Sequence, residues 1–124
     1  MKDLKFIAAN ADLPRGMVTS TARRGTKWST DVKAGDVVNL LVTESGANIG
    51  RAAIVAVQVK PLKTVCDECI NDNNHTLQKI PAGAPGIPAA LLADLKAAYG
   101  DDLKDDEPFT VVHLVVLNPD HVGA

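Results

Sequence analysis

Short runs of alternating apolar and polar residues cover most of this chain, and helical spacing is confined to one stretch. Leu4 to Ala9 reads as a first strand, and Met17 to Arg24, rich in β-branched residues, as a second. In the second strand a period of two puts Thr19, Thr21 and Arg23 on one face and Val18, Ser20 and Ala22 on the other. Lys33-Ala34-Gly35-Asp36 is a turn signal, followed by a strand over Val37 to Thr43. Glu44 to Asn48 then forms a hairpin loop, and a long strand runs from Ile49 to Lys60. Its inward face is expected to carry Ala53, Val55, Val57 and Val59, and Pro61 should end its pairing.

Between these strands the segment Gly25 to Val32 reads as irregular, and Cys66 to Gln78 as a loop or short irregular helix. Ile80 to Pro88 holds three prolines and two glycines and excludes a regular element. Pro88 to Tyr99 is the one strong helix, with Pro88 suited to its first position, Gly100 to its stop, and Leu91, Leu92, Leu95, Ala98 and Tyr99 forming an apolar stripe. The last strand, Phe109 to Leu117, is apolar on both faces and therefore belongs inside the fold. The tail from Asn118 reads as mobile. Strands in succession with one helix before the last give a mainly β fold with minor α content. They argue against a doubly wound sheet, because no βαβ alternation is present.

Composition sharpens this picture. At 124 residues and 46% hydrophobic content the chain suits a single domain, residues 1–124, with a core of its own. Aromatics are few (Phe6, Trp28, Tyr99 and Phe109), so that core must be aliphatic. The net charge of −2 predicts no strong general affinity for nucleic acid. Its distribution is uneven, however. Met1 to Gly35 carries seven Lys or Arg against three Asp, and Asp94 to Glu107 carries six acids against two Lys. The N-terminal apolar run is too short for a signal peptide, and no segment approaches a membrane span. A cytoplasmic protein with reduced cysteines and no membrane partner is the expectation.

Three segments carry a pattern when taken together. The first is Gly16-Met17-Val18-Thr19-Ser20-Thr21-Ala22-Arg23. The second is Ala34-Gly35-Asp36-Val37-Val38-Asn39-Leu40, followed by Ile49 to Val57. The third is Leu95 to Gly100 leading to Phe109 to Leu114. In this order they resemble the ASCH group of the PUA-like superfamily. The resemblance covers most of the chain, and it implies an ASCH-type small β-barrel with one or two flanking helices and a cleft beside the signature strand. Such domains are associated with RNA binding, and some are enzymes. One branch is an amidohydrolase acting on acetylated cytidine through a Lys, a Thr and a Glu, and others are linked to ribonuclease activity. Thr21 and Arg23 occupy the signature Thr and Arg positions. The signature Lys falls at Val18, and Pro81 to Pro88 contains no Glu, so two of the three catalytic roles depart from the pattern.

The residues themselves give several candidates. Thr19, Thr21 and Arg23 offer hydroxyls and a planar guanidinium fork for a phosphate or base edge, or else form an ordinary solvated strand face. Arg24, Lys27 and Trp28 would extend that site from a basic loop, with Trp28 stacking a base or else plugging the core. Lys27 could supply the amine missing at Val18, with Thr21 as its catalytic companion. Cys66-Asp67-Glu68-Cys69 and His75 allow a zinc site, although a second C-x-x-C is absent, and two unligated cysteines are the alternative. No other cofactor is expected. His113 sits in an apolar strand and reads as a barrel-wall histidine unless it is a base. Three function classes follow: a module binding RNA or a nucleotide, a hydrolase on modified nucleosides or RNA, and a small protein-interaction factor.

Overall fold

The computed structural model describes residues 2–8, 11–79 and 86–117. Five strands form one mixed sheet: β1 (Asp3–Phe6), β2 (Val18–Arg24), β3 (Val37–Val42), β4 (Asn48–Pro61) and β5 (Pro108–Val116), in the order β1-β3-β4-β5-β2. The β1–β3 pair is parallel and the other three are antiparallel. Among the described residues three α-helices accompany them: α1 (Lys27–Asp31), α2 (Leu62–Asp67) and α3 (Ile87–Tyr99). A 3₁₀ turn spans His75–Lys79. The fold is mainly β with minor α, and it is barrel-like. No helix among the described residues is long and apolar enough to cross a membrane.

β5 lies between β4 and β2 and is buried on both faces, as its continuous apolar run requires. Val112, Leu114 and Val116 point into the barrel with Leu4, Val38, Leu40 and Ile54. Phe109 and Val111 point the other way, into a second core built with Leu62 and Val65 of α2 and Leu91 and Leu95 of α3. Each fully buried leucine here contributes about 1.5–3 kcal/mol, so α2 and α3 anchor the helix layer together. Gly100 stops α3: its N–H donates to Lys96 O at 2.8 Å while its φ of +113° lies where a side chain is disfavoured.

Two local readings differ from the sequence expectation. The segment from Gly25 forms a short helix, α1, and is not irregular throughout. In β4 the register shifts between Ile54 and Ala56. The extra residue, Val55, is thrown outward, so the inward set is Ala52, Ile54 and Val57, and Val55 and Val59 are exposed. The loop or short irregular helix expected over Cys66 to Gln78 takes the form of the end of α2 at Cys66 and Asp67, a turn, and the 3₁₀ turn that His75 opens. Residues 80–85 of the Pro/Gly stretch and the tail from Asn118 lie outside the described residues.

β1 and β2 are the two ends of the sheet, and no ladder joins them among the described residues. They are tied by a side chain instead: the Arg23 Nη1 of β2 donates to the Lys5 carbonyl of β1. The seam between these edges is where the barrel remains open.

Candidate functional site

The free edge of β2 is used in two ways. Its first half is capped by the segment after α2. Ser20 N donates to Asn73 O at 3.1 Å, Thr19 Oγ1 donates to the same carbonyl at 2.7 Å, and Asn73 Nδ2 donates to Val18 O at 2.7 Å. Asn73 adopts a positive φ of 49° to do this, a conformation asparagine tolerates well. Past Ser20 the capping segment turns away, and Thr21 and Arg23 border open space instead of another strand.

That space is a cleft of about 330 Å³. β1 supplies Lys5 and Phe6, and β2 supplies Thr21 and Arg23. Asn74, His75 and Thr76 form a second wall, and α3 roofs it with Leu91, Asp94, Leu95 and Tyr99. Phe6, Leu91 and Leu95 give the cleft apolar surface while polar groups converge from β1, β2, residues 74–76 and α3, the usual make-up of a small-ligand site. Phe6 and His75 meet edge to face, with ring centroids 5.2 Å apart.

Arg23 dominates the electrostatics of this cleft. Its guanidinium lies over the Phe6 ring, 4.5 Å from the centroid. Nε donates to Thr21 Oγ1 at 3.2 Å, and Nη1 donates to the Lys5 carbonyl. None of these partners is an anion, and among the described residues no carboxylate reaches ion-pairing distance of it. The side chain is only half-buried, but the charged head sits deep enough that desolvation draws its pKa below the ordinary arginine value. A buried cation whose cost is not offset by a protein acid is poised for an anion from outside.

Arg24, one residue on, behaves in the opposite way. It points to the other side of the sheet, where Nη2 meets Glu107 at 2.8 Å and Asp102 at 3.6 Å, and its Glu107 hydrogen bond raises its pKa. Its charge is already neutralised there, and it does not line the cleft.

Of the residues singled out from the sequence, the structure brings Thr21, Arg23 and His75 together in the cleft. Thr19 faces the barrel interior just beyond it and is 1% exposed. Lys27 and Trp28 sit on α1 away from the cleft lining, and Trp28 packs against the barrel core. Cys66 and Cys69 are buried in the helix-side core, where burial pushes the Cys66 thiol up to about 11. His75 faces Phe6 instead, and among the described residues no group of three His, Cys, Asp or Glu side chains is placed to hold a metal. His113 lies on the outer face of β5, 3.0 Å from Gln58 Oε1, with its pKa lowered by desolvation.

Sequence reasoning missed Lys5, Asn74, Thr76, Asp94 and Tyr99 as cleft residues. One signal was available. Asp94 falls on the same helical face as Leu91, Leu95 and Ala98, and an acid within a buried stripe marks a place where that stripe borders something polar.

No protein-family model matches the chain, and no curated protein matches it. Solved structures do. The hypothetical protein PH0355 superposes with a TM-score of 0.63 at 13% identity, covering 94% of this chain and 99% of its own. Protein EF3133 from Enterococcus faecalis, of the family DUF984, gives a TM-score of 0.52 at 14% identity over 88% of this chain and 68% of its own. A solution structure of a Pyrococcus furiosus protein gives 0.52 at 10% identity, covering 93% and 96%. At these identities the likeness is one of fold.

Proposed function

We propose that the cleft between β1 and β2 is an ASCH-type binding site for a nucleotide or for one nucleotide of a single RNA strand. The observation that carries this reading is Arg23: a guanidinium at a cleft wall, held by a carbonyl, a hydroxyl and an aromatic face, with no carboxylate partner among the described residues. Its Nη2 is left over for a phosphate oxygen, and Lys5 lines the same cleft as a second cation. The cleft volume suits one nucleoside more than a longer strand. The resemblance of the β2 signature to ASCH domains supports a nucleotide over other anions. Relative to the sequence expectation, the site moves away from Arg24, Lys27 and Trp28 and toward Lys5 and Asn74.

Titration of the full chain with uridine monophosphate and short oligouridylate, repeated at rising salt, tests this reading. Saturable binding that weakens with salt and drops at least about tenfold in Arg23→Ala is expected. Absence of binding at low salt overturns it.

A hydrolase reading is favoured by one further observation. Lys5, Thr21 and Asp94 line the same cleft, and these are an amine, a hydroxyl and a carboxylate. They offer from other segments the residue types that Val18 and the Pro81 to Pro88 stretch lack. Release of acetate from acetylated cytidine, lost in Thr21→Ala, would support catalysis in addition to binding. Binding without turnover would leave a pure recognition module.

A further inference from the structure

Asn74 lines the cleft with a side chain whose polarity the fold has fixed. Its Oδ1 accepts from Thr76 N at 2.9 Å and from Thr76 Oγ1 at 2.7 Å. A backbone N–H can only donate, so the atom facing Thr76 must be oxygen and the amide cannot turn over. Two hydrogen bonds fill the two lone pairs of that oxygen. Nδ2 is left with both hydrogens, and among the described residues no acceptor takes them, although Asn74 is only 4% exposed. Among the described residues the fully buried side-chain polar atoms without a partner are Ser20 Oγ and Glu107 Oε2, so Nδ2 is not sealed off: it opens onto the cleft, where a ligand acceptor can take the place of water.

We propose that Asn74 Nδ2 is a specificity determinant that donates to a carbonyl oxygen of the ligand base, so that the site prefers uracil, cytosine or guanine nucleotides to adenine. The inference rests on the nucleotide reading above. Asparagine reads adenine by accepting from its exocyclic amine through Oδ1 while donating to a ring nitrogen through Nδ2. Thr76 has already occupied that oxygen. Only the donor half of the pair is on offer: it can give adenine one hydrogen bond at a ring nitrogen but not the bidentate pair, whereas a base carbonyl, with two lone pairs and no need of an acceptor, is met in full.

The test compares uridine monophosphate, adenosine monophosphate and ribose 5-phosphate on the full chain by calorimetry. Uridine monophosphate should bind roughly tenfold tighter than adenosine monophosphate. Asn74→Asp keeps the acceptor for Thr76 and removes both donors. Its added charge disfavours both nucleotides alike, so the ratio of the two affinities is the readout, and it should fall to near one. In the wild type the Asn74 side-chain amide resonances should shift with uridine monophosphate and stay in place with ribose 5-phosphate, which tests the contact even if the variant does not fold. Equal affinities for the two nucleotides, with Arg23-dependent binding of ribose 5-phosphate retained, overturn the inference and leave the phosphate site standing. Failure of all three ligands to bind overturns both.

Discussion

Replacing Arg23 by methionine separates a binding cation from a structural one. The substitution removes two charge-assisted hydrogen bonds, to Thr21 Oγ1 and the Lys5 carbonyl, and the contact with the Phe6 face. Such hydrogen bonds are worth about 1.5–3 kcal/mol each, and the cation–aromatic contact about 0.5–2 kcal/mol. Against these stands the desolvation of a cation with no anionic partner, which costs several kcal/mol and vanishes in the variant. Methionine also keeps an unbranched side chain on Phe6, while the freed Lys5 carbonyl lies at an open strand edge within reach of water. Losses and gains are of similar size, so net stability should change by no more than about 2 kcal/mol in either direction. That is a thermal midpoint within about 8 °C of the wild type. Ligand affinity should behave differently. Loss of the cation and one charge-assisted bond to phosphate costs about 2–3 kcal/mol, or roughly 30- to 150-fold in Kd for uridine monophosphate. Differential scanning fluorimetry and calorimetry on one preparation read both quantities. A large fall in midpoint with unchanged affinity would refute the reasoning and make Arg23 a staple between β1 and β2.

The remaining predictions concern other parts of the molecule. Trp28→Ala should cost about 2–4 kcal/mol of stability in chemical denaturation, because Trp28 packs against the barrel core, while leaving nucleotide affinity unchanged, as should Lys27→Ala. The Cys66 thiol is held protonated by burial up to about 11, so the folded state binds its proton more tightly than the unfolded chain. Its contribution is complete below the ordinary thiol value near 9 and is lost as pH rises toward 11, an effect of about 2 kcal/mol that Cys66→Ala should remove from the alkaline limb. At neutral pH both cysteines should resist thiol reagents until the protein unfolds. His113 has the opposite sign: desolvation makes it harder to protonate when folded, so stability is lost as pH falls from the ordinary histidine value toward the lower folded one. Asp72 opposes that shift and Lys60 adds to it. His113→Gln should flatten this acid limb in thermal scans.

Much of the architecture could be read from the sequence because its signals were local. Each strand announced itself by β-branched content and turn residues, and α3 by its apolar stripe between Pro88 and Gly100. The inward face of β4 was misjudged because a bulge at Val55 leaves no mark in a run of valines and alanines. Helix α1 is only five residues, KWSTD, with no room for a periodic signal. Strand alternation put Thr21 and Arg23 on one face, and a cleft beside that face was expected from the resemblance to ASCH domains. The rest of the cleft was not legible, since Lys5, Asn74 and Asp94 meet β2 only through the tertiary fold. Trp28 is the clearest lesson: beside Arg24 and Lys27 in sequence it allowed either a stacking platform or a core plug, and only the tertiary fold, which packs it against the barrel core, selects the second.

Backbone and side-chain amide shifts followed during titration with uridine monophosphate test the central claim most directly. Perturbations should cluster on Lys5, Phe6, Thr21, Arg23, Asn74 to Thr76 and the cleft-facing side of α3. Shifts centred on Lys27 and Trp28, or none at saturating ligand, would contradict it.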